Sequence, residues 1–383
     1  MQIERLELRL IRLPLVHFFE TSFGRIDDKH FILVRADGEG ATGYGECVAE
    51  QEPYYSSETN ETVWHIISEF VAPRVLGVSF AHPRELFPAL KAIRGHNMAK
   101  AAVEMAAWDL FAKQRGEPLS RVLGGTHLRS ESSGGQARDR IASGVSIGIQ
   151  RSLDELAGKV ERELAAGYRR IKIKIKPGWD LSAVETVRAR FGAIPLMVDA
   201  NAAYTVADAD HLAQLDRFDL MMIEQPLDYD DIAEHAALQR KLNTPICLDE
   251  SIKTVGIARE AIAAGACRII NIKPGRVGGF AESIRLHDLC ESRGIPVWHG
   301  GMLESGIGRA ANIHLSTLPN FTLPGDIAAS KRYFDPDLID PPIEVAADGT
   351  IAVPTQPGIG VVIREDRIAA ATLRQIVLEA AQA

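Results

Sequence analysis

IKIKIK, residues 171–176, alternates isoleucine with lysine. Neighbouring side chains of a strand point to opposite faces, so the isoleucines share one face and the lysines the other. A half-exposed strand reads this way. So does a strand inside a barrel, with isoleucines against outer helices and lysines facing inward. The sequence beyond favours the barrel. Short apolar runs end on charged residues at Asp199 (LMVD), Glu224 (MMIE), Asp249 (ICLD) and Lys273 (INIK), in steps of 25, 25, 25 and 24 residues counted from Lys174. A strand, a helix and two loops occupy about 25 residues, so each step is one βα unit. A closed ring of such units gathers all five side chains at its C-terminal mouth.

Working outward, further strands are expected at Gly144–Ile149, Pro195–Asp199, Leu220–Glu224, Pro245–Asp249, Ile269–Lys273 and Ile295–His299, with an eighth at Asn320–Leu323. The fold class is therefore α/β, a (β/α)8-type barrel. Residues 1–128 lack the rhythm. Strand-like runs come first (Ile3–Leu13, Phe31–Arg35, Gly43–Cys47), then helical patterns (Glu61–Phe70, Pro83–Ile93, Met98–Arg115), which suggests a separate α+β domain. The polar run Arg129–Arg140 is the expected linker, residues 129–334 hold the barrel, and residues 335–383 return to the first domain.

The chain of 383 residues is 46% hydrophobic, enough for two domains. A net charge of −8 argues against a nucleic-acid surface. Cys47, Cys247, Cys267 and Cys290 are scattered without CxxC spacing, as in a reduced cytoplasmic protein. No apolar run approaches the ~18 residues of a membrane span. A homo-oligomer is expected.

Asp199, Glu224 and Asp249 offer oxygen ligands only, which suits a hard cation, Mg2+ with Mn2+ as substitute. Singly, each could instead cap the helix that follows it. Lys172 and the ion beside Lys174 should lower the latter's pKa and fit it as a general base. Lys273 stands across the mouth, and Asn271 shares its face. Such a set suits removal of a proton alpha to a carboxylate: return from the opposite side racemises the carbon, and loss of a leaving group on the same side gives syn elimination. A Schiff-base aldolase using either lysine is the rival chemistry, and it leaves the three carboxylates unexplained. His299 either touches substrate or satisfies local hydrogen bonds. Phe18, Phe19, Phe23, Tyr54 and Tyr55 either line an acyl pocket or join the core of the first domain. Gly300 and Gly301 would let substrate approach the backbone.

KIK (Lys172–Lys174), VDAN (Val198–Asn201), IEQP (Ile223–Pro226), LDES (Leu248–Ser251) and NIKPGRVGG (Asn271–Gly279) resemble the enolase superfamily, in its muconate-lactonizing-enzyme subgroup. TSFG (Thr21–Gly24), GYGECVA (Gly43–Ala49), GGMLESGIGRAAN (Gly300–Asn312) and LPNFTLPGD (Leu318–Asp326) extend the resemblance over most of the chain, towards o-succinylbenzoate synthases and N-succinylamino acid (N-acylamino acid) racemases. The resemblance implies a modified TIM barrel of the β7α7β kind under a capping domain, built from the N-terminus and C-terminal tail, whose segments His17–Arg25 and Glu50–Glu58 close over the mouth. It implies Lys174 and Lys273 as the acid/base pair, Asp199, Glu224 and Asp249 as Mg2+ ligands, and Lys172 against the carboxylate of a small-molecule substrate. Asn201, Arg276, Gly300, Gly301, Met302, Phe23, Tyr55 and His299 are the further substrate-binding candidates, and Arg276 matches a position associated with racemase-capable members. Menaquinone biosynthesis is the pathway implied for a synthase. Mandelate-racemase-type enzymes carry KxH where this chain has KIK. Dipeptide epimerases carry DxD near the eighth strand, where FTLPGD stands here.

Overall fold

The computed structural model describes residues 1–124 and 138–380. Residues 129–137 of the expected linker, and the 128/129 boundary, lie outside them. An antiparallel sheet opens the chain: β1 (Arg5–Glu20), β2 (Arg25–Gly38) and β3 (Ala41–Cys47). Seven parallel strands follow in chain order around one curled sheet: β4 (Gly144–Ile147), β5 (Arg170–Lys174), β6 (Leu196–Asp199), β7 (Ile223–Glu224), β8 (Ile246–Leu248), β9 (Ile269–Ile272) and β10 (Val297–His299). The last strand, β11 (Thr372–Glu379), pairs antiparallel with β1 and completes the capping sheet from the other end of the chain.

Local chemistry sets where the barrel helices begin. Ser152 Oγ accepts from Glu155 N at the start of Leu153–Ala165, Asp231 Oδ1 from Glu234 N before Ile232–Lys241, and Thr254 Oγ1 from Ile257 N before Val255–Ala264. Gly265, at φ +68°, ends the last of these. The helix Asn97–Gln114 is buried nearly all round, because it lies between the capping sheet and the barrel. Gly43 and Gly45 on β3 let its backbone come that close; a Cβ on either would strike the carbonyl of Ala106 or Ala102.

The expected eighth strand, Asn320–Leu323, is not formed. Phe321 makes one isolated bridge to Val297, and the chain then bends at Leu323 before a second isolated bridge between Gly325 and Ser143. Pro319 and Pro324 lack backbone donors, which denies this segment a regular ladder. It still closes the ring: Asp326 N donates to His299 O on one side, and Gly144 N to Gly325 O on the other.

Alternation along each strand sorts the residues as IKIKIK predicts. Ile171, Ile173 and Ile175 join the main core with the outer helices. Inside the barrel, Met197, Met222, Cys247, Ile269 and Trp298 form an apolar layer. Two residues further along the same strands stand Asp199, Glu224, Asp249 and Asn271, with Lys172 and Lys174 on β5 and Lys273 just past β9.

Candidate active site

Lys172, Lys174, Asp199, Glu224, Asp249 and Lys273 are all buried. Lys174 Nζ donates to Asp199 Oδ2 and Asn201 Oδ1, both at 2.6 Å. Lys172 Nζ lies 3.1 Å from Asp199 Oδ2, 2.9 Å from Glu224 Oε2 and 2.5 Å from Asp326 Oδ2. Lys273 Nζ donates to Asp249 Oδ2 at 2.8 Å, and the Arg276 guanidinium bonds the other oxygen of Asp249. Asn271 Nδ2 reaches Glu224 Oε1 at 2.7 Å. The two amines thus arrive from β5 and from the end of β9, with the three acidic strands between them.

Burial favours neutral carboxyls, and the cations decide which acids escape that pressure. For Asp199, Lys174 and Lys172 outweigh burial and hold the pKa well below the ordinary range. For Asp249, Lys273 and Arg276 outweigh burial and lower the pKa. Glu224 is pushed up to about 8 by burial and by repulsion from Asp199. Glu250, beside Asp249, is likewise pushed to about 8 by burial and by Asp249, and its Oε2 is buried without a hydrogen-bond partner. Burial lowers the pKa of Lys172 and Lys273, but the acids around them reverse it and keep both above the ordinary lysine value.

A cavity of about 570 Å³ opens above these residues. Lys172, Lys174, Asn201, Lys273, Gly301 and Met302 form its floor and sides, with Phe23 and Tyr55 across from them on the cap. The segment His17–Arg25 is a hairpin tip more than a loop: β1 runs to Glu20, whose carbonyl accepts from Ile149 N at 3.0 Å and ties the tip to the barrel. Phe19 and Tyr54 also face the cavity, whereas Phe18 lies outside it, beneath the Arg25 guanidinium.

Asp199, Glu224 and Asp249 are not on the cavity wall but hydrogen-bonded to the lysines that line it, and three further candidates are not on it either. His299 points away from the cavity and stacks on Phe321; burial drives its pKa down to about 4. Trp298 takes the inward position on that strand, so alternation turns His299 outward. Arg276 sits behind Asp249 and also donates to Ile252 O at 2.8 Å. Gly300 serves the site from beneath: a Cβ there would strike the Asn271 side chain and Lys273 Cε. Of the wall residues that are not sequence candidates, two stand beside Lys172. Asp326 follows the disrupted eighth segment and bonds Lys172 and Arg170, which hold its carboxyl at about 2 against burial. Ser146, paired in register with Lys172, has a buried hydroxyl with no partner. The signal for Ser146 was present, as the one polar inward position of GVSIGI.

A parallel barrel with opposed lysines flanking three acids at its mouth, under a cap built from both chain ends, defines a class, and comparison with known proteins agrees. Residues 7–124 match the N-terminal domain of the mandelate racemase/muconate lactonizing enzyme family, and residues 155–367 match the enolase C-terminal domain-like family. The chain belongs to the enolase superfamily. Within it, the chain is 54% identical to an o-succinylbenzoate synthase of Geobacillus kaustophilus, over 94% of this chain and 92% of that protein. It is 48% identical to an N-succinylamino acid racemase of Thermus thermophilus, over 98% of both. A solved enolase-superfamily structure from Listeria innocua superposes with a TM-score of 0.92 at 39% identity, over 99% of both chains. Among the described residues, no helix is long and apolar enough to cross a membrane.

Proposed function

We propose that this protein abstracts the proton alpha to a carboxylate through an enediolate, acting as an o-succinylbenzoate synthase, an N-succinylamino acid racemase, or both. The observation that carries the reading is that Lys174 and Lys273 both reach one cavity from opposite sides of the acidic trio. The fit for a divalent cation rests on the donor set: three buried carboxylates on adjacent strands, a neighbouring orphan oxygen on Glu250, and a Glu224 whose charge the nearby lysines do not fully offset. The acids are turned towards the lysines and arginine, and one oxygen from each of the three does not fall within 4.8 Å of the others, so binding calls for carboxylate rotation. Asp199, Glu224 and Asp249 would hold Mg2+, or Mn2+ in its place, and the ion would supply positive charge against the developing enediolate.

The remaining roles belong to the chain. The Lys172 ammonium, on the cavity wall, orients the substrate carboxylate. In dehydration of 2-succinyl-6-hydroxy-2,4-cyclohexadiene-1-carboxylate, Lys174 takes the alpha proton and then protonates the departing hydroxyl, while the Lys273 ammonium steadies the enediolate. In racemisation one lysine removes the proton and the other returns one to the opposite face. The cavity suits an acylated substrate, with Phe19, Phe23 and Tyr54 on its cap side. A free ammonium is less well served: Asp326, the acid at the end of the segment that closes the ring, is already engaged by Lys172 and Arg170. The relatives support the same reading, including a more distant one, an L-Ala-D/L-Glu epimerase of Bacillus subtilis at 28% identity.

The test is turnover of the cyclohexadiene substrate and of a panel of N-succinyl amino acids by purified protein. EDTA should abolish both activities, and Mg2+ or Mn2+ should restore them. Full activity after chelation, or borohydride trapping of a Schiff base, would defeat the assignment.

A further inference from the structure

The two lysines are held in different ways. Both partners of the Lys174 amine, Asp199 and Asn201, belong to the barrel. On that side the cap's Ser22 Oγ donates to the Asn201 backbone carbonyl at 3.3 Å and Glu20 lies 3.8 Å from Lys176, but among the described residues no cap side chain hydrogen-bonds the Lys174 amine. On the other side the cap reaches the amine itself. Tyr55 Oη donates to Asp249 Oδ1 at 3.2 Å and accepts from Lys273 Nζ at 3.1 Å and from Arg276 at 3.3 Å. A phenol has one proton and two lone pairs, so these three bonds use its whole capacity and fix the oxygen in place. The Lys273 ammonium also lies 4.5 Å from the centroid of the Tyr55 ring, within cation–π range. Among the described residues, Tyr55 is the cap side chain that hydrogen-bonds Asp249 or Lys273.

The segment carrying Tyr55 is itself anchored. Glu50 and Thr59 bridge its base. Glu58 accepts from the backbone N–H groups of Met98 and Ala99 at 2.9 and 3.0 Å, at the start of the helix Asn97–Gln114. Tyr55 therefore projects from a held loop onto one lysine and not the other.

We propose that Tyr55 is a positioning residue for Lys273 and thereby sets how much two-lysine chemistry the site performs relative to one-lysine chemistry. This rests on the function proposed above. Racemisation in one direction breaks the Cα–H bond as the proton passes to neutral Lys273; the Lys174 ammonium then gives a proton to the other face of the enediolate. The reverse direction exchanges the roles. Dehydration asks only Lys174 to move protons, and asks Lys273 only for charge. Loosening Lys273 should therefore harm racemisation far more than dehydration.

The variant is Tyr55→Phe, which keeps the ring and removes the hydroxyl. Exchange of the alpha proton into D2O is measured for each antipode of an N-succinyl amino acid, alongside synthase turnover. The antipode facing Lys273 is the one whose exchange Lys273→Ala abolishes. We expect exchange from that antipode, and racemisation with it, to fall about tenfold or more, as for loss of a hydrogen bond to a charged group. The ratio of exchange from that antipode to exchange from the other should fall by about the same factor, and racemisation should lose more than synthase turnover does. The ratio of the two exchange rates within one sample does not depend on the folded fraction, so partial misfolding leaves the result readable. Equal losses on both antipodes, or no loss on either, would overturn the proposal. Wild-type protein that exchanges neither antipode would overturn the proposal as well, and only an absence of synthase turnover besides would overturn the function itself, a separate and recognisable failure.

Discussion

The barrel interior holds two layers, two residues apart on the same strands, and they do opposite things. Met197, Met222, Cys247 and Trp298 form an apolar floor packed to near-complete burial. Asp199, Glu224, Asp249, Lys172, Lys174 and Lys273 form a charged layer just as deeply buried. The floor gains from leaving water. The charged layer loses by it, and persists because each acid finds a cation, Lys172 finds three acids, and Lys174 and Lys273 find one each. Equal burial therefore does not mean equal contribution: one layer stabilises the ring, and the other spends that stability on holding amines and carboxylates in place.

Substitutions can break this contrast. The largest effect should come from the charged layer. Lys174→Ala is expected to lower kcat/KM for both reactions by about 10²–10⁴-fold, the usual worth of a positioned acid/base, with circular dichroism unchanged. The mirror image is Met222→Ala in the floor, beneath Glu224. Urea unfolding should show a loss of about 2–5 kcal/mol, with the kcat of the folded protein altered only a few-fold. If Met222→Ala cost as much turnover as Lys174→Ala, the two layers would not be functionally distinct.

A buried charge at the seam between cap and barrel sharpens the comparison. Glu104 accepts from Trp108 Nε1 at 2.6 Å and from the backbone N–H groups of Phe280 and Ala281, and burial pushes its carboxyl up to about 7. The folded chain thus holds this proton more tightly than the unfolded chain does. Its contribution is complete below the ordinary carboxyl pKa and is lost as pH rises towards 7. Between about pH 5 and pH 7.5, wild-type stability should fall relative to Glu104→Gln by roughly 2–3 kcal/mol, measured by urea unfolding at each pH. Identical slopes for the two proteins would refute the assignment. The smallest effect is expected for Met197→Leu in the floor, below about 1.5 kcal/mol, because volume and polarity are nearly kept.

Much of this site was written along the chain. Strand alternation and the 25-residue step located Lys172, Lys174, Asp199, Glu224, Asp249 and Lys273, because each depends on local periodicity and on one repeated unit. What was missed or misplaced depends on contacts between distant segments. Asp326 gains its place from an irregular segment that two prolines keep from becoming the expected strand. His299 is turned outward by the register of Trp298. Gly300 makes room for the Asn271 side chain and Lys273. Arg276 works behind Asp249, which only the turn after β9 could decide.

The sequence by itself determined the ring of βα units and the charged residue at the end of each, since both follow from side-chain periodicity that no distant contact can alter. Tertiary structure alone decided which cation faces which acid, and that Tyr55 of the cap grips Lys273 and leaves Lys174 to the barrel. Residues 194 and 218 positions apart meet there through Tyr55, and only the docking of cap on barrel brings them within hydrogen-bonding distance.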